Sequence, residues 1–208
     1  STDELDTIAK LCIEYDAIAV ADEVYEHMVY KGEHTPIATR PGMHERTVTM
    51  SSLGKTFSLT GWKIGWAVAP ENLTAGIRSA HQFLTFAVAT PLQHAAVAAL
   101  NSPPEYFTTL REDYRSRRDF LVGALRDIGF QCAAPEGGYF VMADHTPFGW
   151  GDDVAFVKRL IEEIGVAAIP PSAFYNDPAH GRDFVRFAFC KKQETLGRAA
   201  DRLAKLKA

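Results

Sequence analysis

The chain has little cysteine. Its three, Cys12, Cys132 and Cys190, are far apart and odd in number, and no C-x-x-C pair occurs. That argues against a zinc ribbon or a dithiol redox motif and fits a reducing compartment. The seven histidines form no H-E-x-x-H motif and no ligand-spaced cluster, so no metal site is expected. There is no run of lysine and arginine: 22 basic residues stand against 26 acidic ones, for a net charge of -4. A nucleic-acid binder usually carries a basic stripe, and none is visible. No apolar run approaches the length of a membrane span. No G-x-G-x-x-G dinucleotide fingerprint, internal repeat or low-complexity tract is present. The opening STDELDTIAK is polar and helical in pattern, unlike a secretory signal. A cytoplasmic location is the expectation.

What is abundant is apolar content, 47% of 208 residues, ample for a core. Ser1 with Glu4 forms a capping-box pattern, and a helix is expected from about Asp3 to Tyr15. Residues 17–21, AIAVA, read as a buried strand that ends in DEVYEH. Further strands are expected at 47–52 and 64–70. A long helical region over 73–100 is expected to break near Pro91. A second long helix follows SPPEYF at 102–107, runs to about Ile128 and stops at Gly129. From there GGYFVMAD, DDVAFVKRLIEEIG, VAAIP and DFVRFAFC predict strand, helix, strand, strand, before a last helix from Gln193 to Lys207. The reading is α/β, with a large domain over 1–115 and a small α+β domain over 116–208, divided along the long helix between Leu100 and Arg126.

The chemistry concentrates in SSLGKTFSLTGWKIG, residues 51–65. Two lysines, Lys55 and Lys63, sit among hydroxyls and glycines between two strands. An amine that attacks a carbonyl must be unprotonated or stand as a Schiff base. A phosphate is held by hydroxyls, amides and cations, and a pyridine nitrogen kept protonated needs a carboxylate. Lys55 can be the imine-forming amine, Ser52 and Lys63 can grip a phosphate, and Asp22 and Tyr25 can face a ring nitrogen and a ring oxygen. In open sheets, sites collect at the carboxyl ends of strands, where Asp22 and the 51–63 loop both fall. Simpler readings stand beside these. Asp22 can cap a turn, Ser52 can be a turn serine, Lys63 a surface charge, and Arg186 an outward strand arginine.

These motifs resemble the pyridoxal-phosphate attachment region of class I aminotransferases. SLGKTFSLTGWKIGW at 52–66 is similar to the family's lysine motif, ADEVYEHMVY at 21–30 to its cofactor-ring strand, and RFAF at 186–189 to its substrate-carboxylate segment. The likeness runs over essentially the whole chain and is nearest the kynurenine/glutamine, methionine and N-succinyldiaminopimelate aminotransferase branch. It implies fold type I, with a mixed, mostly parallel sheet and a small α+β domain, and pyridoxal 5'-phosphate as cofactor. It implies Lys55 as the Schiff-base lysine and proton shuttle, with Asp22, Tyr25, Ser52 and Lys63 holding the cofactor. Family members often carry arginine where Lys63 stands, which would offer a fork rather than a point charge. Arg186 matches the clamp on the substrate α-carboxylate, and Phe86 and Tyr139 resemble substrate-pocket positions, where core packing is the rival account. Amino acid and 2-oxo acid substrates and a homodimer are implied.

Family enzymes are about twice as long. Their glycine-rich phosphate loop, ring-stacking aromatic and ring-oxygen asparagine lie upstream of the matched region. The resemblance therefore implies the carboxyl half of such an enzyme, inactive alone, with the other half in the same chain or a companion. Two rival classes are weighed. Ser52-Leu-Gly-Lys55 fits the S-x-x-K of serine acyl-transfer enzymes, but the S-D-N and K-T-G partners are missing. A non-catalytic sensor or dimerisation domain of the same fold is the other.

Overall fold

The computed structural model describes residues 1–206. The chain divides into two compact units, Ser1–Thr108 and a second from Thr109 onward.

The first unit opens with helix α1 (Thr2–Glu14). Its capping box forms as the sequence predicts: Ser1 Oγ accepts from the Glu4 N–H at 3.4 Å, and the Glu4 carboxylate reaches back to Ser1 N at 2.6 Å. Strands β1 (Ala19–Asp22), β2 (Thr47–Ser52) and β3 (Gly65–Val68) make one sheet in that order. β1 and β2 are parallel, with Asp22 opposite Met50, and β2 and β3 are antiparallel, with Ser52 opposite Gly65. The end of β1, the end of β2 and the start of β3 therefore share one edge of the sheet. That edge carries the candidate residues Asp22 and Ser52 and the loop of the two lysines.

Between β2 and β3 lies the four-residue helix α2 (Leu53–Thr56). The loop closes on itself: the Leu53 N–H donates to the Ile64 carbonyl at 3.1 Å, and the Leu59 N–H donates to the Leu53 carbonyl at 3.2 Å. Its underside is apolar. Leu53 and Ile64 are buried against Ala96, with Phe57, Leu59, Trp66, Val88 and Leu92 packed around them. Burying a leucine such as Leu53 stabilises by about 1.5–3 kcal/mol, so the loop is anchored by its floor while its polar side faces outward.

Helices α3 (Glu71–Leu84) and α4 (Thr90–Leu100) make up the broken helical region expected over 73–100. The break falls at residues 85–89, earlier than the expected one near Pro91. Pro91 instead sits in the first turn of α4, where its missing N–H costs nothing. Helix α5 (Pro104–Ile128) ends at Gly129, whose φ of +119° is open to glycine.

The second unit holds an antiparallel sheet of β4 (Gln131–Cys132), β5 (Phe140–Asp144) and β6 (Phe184–Ala188). Val141, Ala143, Val185 and Phe187 are buried, the alternation that a sheet with one covered face requires. Leu121 and Leu125 of α5, Phe130 and Phe156 are among the other buried residues of this unit. Helix α6 (Asp153–Arg159) continues as one π turn over Leu160–Ile164. The expected strand VAAIP is not one: only Ile169 pairs, through a single bridge to Arg186. The prolines Pro170 and Pro171 follow directly and cannot donate to a ladder. The last helix, α7, runs Gln193–Leu203; the expected end at Lys207 lies outside the described residues.

Candidate active site

Ser52, Lys55 and Lys63 line one cleft of about 350 Å³ with Gly54, Leu59, Thr60, Ile64 and Gly65. Among the described residues no carboxylate lines it. Two ammonium groups and two hydroxyls converge on it, a donor set suited to a phosphate monoester. Thr60 is a lining residue that the sequence reading does not single out. Its signal is weak, one hydroxyl in the hydroxyl-rich stretch Ser58-Leu-Thr60.

Local structure explains the convergence. Ser52 caps α2, its Oγ accepting from the Gly54 N–H at 3.2 Å. Lys55 follows within that single turn. Ser58 and Lys63 both adopt left-handed backbone, at φ +55°, and fold the loop back toward β3. Glycine is needed at one wall and fits closely at another. A Cβ on Gly65 would stand 2.9 Å from the Ser51 carbonyl oxygen, and one on Gly54 would stand 3.2 Å from Ser52 Oγ. Gly65→Ala is thus expected to cost about 1–3 kcal/mol, seen as a lowered melting temperature, because the β2–β3 pair must move apart where Ser52 sits.

Asp22 and Tyr25 approach from β1. Asp22 closes that strand, and its Oδ1 accepts from the Val24 N–H at 3.3 Å, so the turn-capping account also holds. The Tyr25 ring centroid lies 5.7 Å from Lys55 Nζ. The edge of the sheet thus brings Asp22, Tyr25, Ser52, Lys55 and Lys63 into one neighbourhood.

Aromatic residues buttress the lysine turn. Tyr106 Oη donates to the Thr56 carbonyl at 2.8 Å, satisfying one of the last acceptors of α2. Its ring stacks on Phe57 with centroids 5.3 Å apart. Burial raises the Tyr106 pKa, so the phenol stays a donor. The His27 ring rests 4.3 Å from that of Phe107, and burial lowers its pKa ahead of the opposing pull of Glu26.

The other candidates lie elsewhere. Phe86 follows α3 and is 80% exposed at φ +68°, so core packing does not account for it. In the second unit Tyr139 is buried and stacks on Tyr114 at 6.1 Å. Arg186 is held by β6, with its guanidinium 4.3 Å from the Phe140 ring and 4.9 Å from that of Phe174. Its Nε is buried without a hydrogen-bond partner. A stacked guanidinium with a donor to spare is equipped to take a planar anion.

A family model of class I and II aminotransferases matches residues 1–203. Kynurenine–oxoglutarate transaminase of Dictyostelium discoideum is 41% identical, over 100% of this chain and 53% of its own length. Methionine aminotransferase of Escherichia coli K12 is 42% identical, over 92% of this chain and 50% of its own. The solved structure of N-succinyldiaminopimelate aminotransferase from Mycobacterium tuberculosis superposes with a TM-score of 0.95 at 43% identity, covering 100% of this chain and 54% of that one. The chain spans about half the length of the relatives it matches. Nothing in these matches supports the serine acyl-transfer reading of Ser52 and Lys55. With its lysine loop, its sheet edge and its 1–203 match in agreement, the chain belongs to the class I and II aminotransferase family.

Proposed function

We propose that this chain is the carboxyl half of a pyridoxal-phosphate-dependent aminotransferase that moves an amino group between an amino acid and a 2-oxo acid. The observation that carries it is the acid-free cleft in which Ser52, Lys55 and Lys63 meet. When bound, pyridoxal 5'-phosphate supplies an electron sink for the charge left by a departing α-proton. The chain's own groups do the rest. Lys55 holds the cofactor through Nζ and then carries the proton on that same atom. Ser52 and Lys63 bind the phosphate. The Asp22 carboxylate faces the ring nitrogen, and the Tyr25 hydroxyl donates to the ring oxygen. Arg186 binds the substrate α-carboxylate, and Phe86 and Tyr139 border the substrate.

In this reading residues 1–115 belong to a large cofactor-binding domain and 116–208 to a small one. The sheet is part of a larger, mostly parallel one. The active enzyme is a cytoplasmic homodimer. Phe83, Leu84 and Phe86, each at least 80% exposed beside the end of α3, support a covered surface there. Similarity to kynurenine, methionine and N-succinyldiaminopimelate enzymes favours aromatic, glutamine, methionine or succinylated diamino donors.

The test uses the full-length protein. It should absorb beyond the protein band when purified with the cofactor, and borohydride should fix the cofactor's mass to the peptide containing Lys55. Label at another lysine, or none, overturns the reading.

A further inference from the structure

A hydrogen bond behind the cleft has no part in the roles above. Ser51 Oγ donates to Glu26 Oε1 at 2.8 Å. Ser51 is 8% exposed. The second carboxylate oxygen of Glu26, Oε2, is buried and has no hydrogen-bond partner. A half-buried carboxylate is costly unless it is paired, so its bond to Ser51 calls for an explanation beyond packing.

Its position supplies one. Glu26 lies in the turn that follows β1 and carries Tyr25. Ser51 lies in β2, twenty-five residues on. Successive strand side chains point to opposite faces, so Ser52 faces the cleft and Ser51 faces away from it, toward that turn. The same turn is pinned once more at its start, where the Glu23 N–H donates to the Met50 carbonyl at 2.8 Å. His27 offers Glu26 little: its Nε2 is 3.9 Å from Oε1, and burial keeps the ring toward its neutral form.

We infer that Glu26 and Ser51 form a positioning brace, which locks the turn bearing Tyr25 onto the strand that leads to Lys55 and so sets the phenol against the lysine amine. Neither residue lines the cleft; both act through Tyr25 and Lys55. The inference rests on the cofactor reading above.

The experiment titrates the visible absorbance band of the full-length holoenzyme with pH, for the unsubstituted protein and for Ser51→Ala, Glu26→Ala, Glu26→Gln and the double alanine variant. The midpoint reports the environment of the Lys55 nitrogen, which a merely stabilising pair would leave alone. Each single alanine should move the midpoint by roughly half a unit to one unit, the worth of one hydrogen bond. The double variant should move it no further than the larger single. Glu26→Gln keeps an acceptor for the hydroxyl and should lie nearer the unsubstituted midpoint than Glu26→Ala. A midpoint unchanged in Ser51→Ala, or shifts that add in the double variant, overturns the brace. If Glu26→Ala does not fold, Ser51→Ala decides alone, since it removes one oxygen from a small side chain. A visible band in the unsubstituted protein keeps the cofactor reading while the brace fails; no band at all overturns both.

Discussion

Lys55→Ala in the full-length protein should lower amino-group transfer on the order of 10^4-fold, with little change in melting temperature. The size follows from two losses at one atom. In the proposed role Nζ both anchors the cofactor and carries the proton, and among the described residues no lysine besides Lys55 and Lys63 lines the cleft. Lys63 enters β3 from a left-handed turn and, in the same proposal, binds the phosphate. The stability forecast rests on packing, because the floor of the loop is Leu53 and Ile64, not the lysine stem. Single-turnover conversion of an amino acid to its oxo acid measures the first quantity and calorimetry the second. Near-normal turnover in this variant would end the assignment of Lys55.

Arg186→Ala is the second large effect. KM for amino acid and oxo acid should rise by roughly 10^2- to 10^4-fold, the worth of two charge-assisted hydrogen bonds, with kcat changed less. Arg186→Lys should recover only part of the loss, because an ammonium keeps the charge and loses the fork. The rings of Phe140 and Phe174 lie against the guanidinium, which restrains its plane before any substrate arrives. Steady-state kinetics with both substrates checks this. If KM in the alanine variant stays within about threefold of the original, Arg186 is a strand arginine and no more.

Much of the site was legible because it is local. The spacing Ser52, Lys55, Lys63 is written in fifteen consecutive residues, and one strand end plus one turn suffices to gather them. The parallel pairing of β1 with β2 then explains Asp22, since an apolar run preceded by a helix already points to that arrangement; the expected burial of that run is not found in this chain, where β1 alternates half-buried and exposed residues and Val20 is 63% exposed. Short or long-range features were not legible. β4 is two residues long, too brief to show any periodicity. VAAIP has the apolar content of a strand, yet pairing is decided by what lies beside it, and only Ile169 finds a partner. The bond between Ser51 and Glu26 and the reach of Tyr106 to Thr56 span twenty-five and fifty residues. No spacing rule announces such contacts. Phe86, open to a packing account, is 80% exposed within this chain, which its sequence did not announce.

The left-handed backbone at Lys63 has an evolutionary corollary. A side-chain-bearing residue held at φ +55° and ψ +41° gives up about 1–2 kcal/mol that glycine would keep. Selection for robustness alone would drift this position toward glycine or asparagine. Where Lys63 binds the phosphate as proposed, that contact offsets the strain, so charge at this corner of the loop would be a sharper marker of working descendants than the glycines around it.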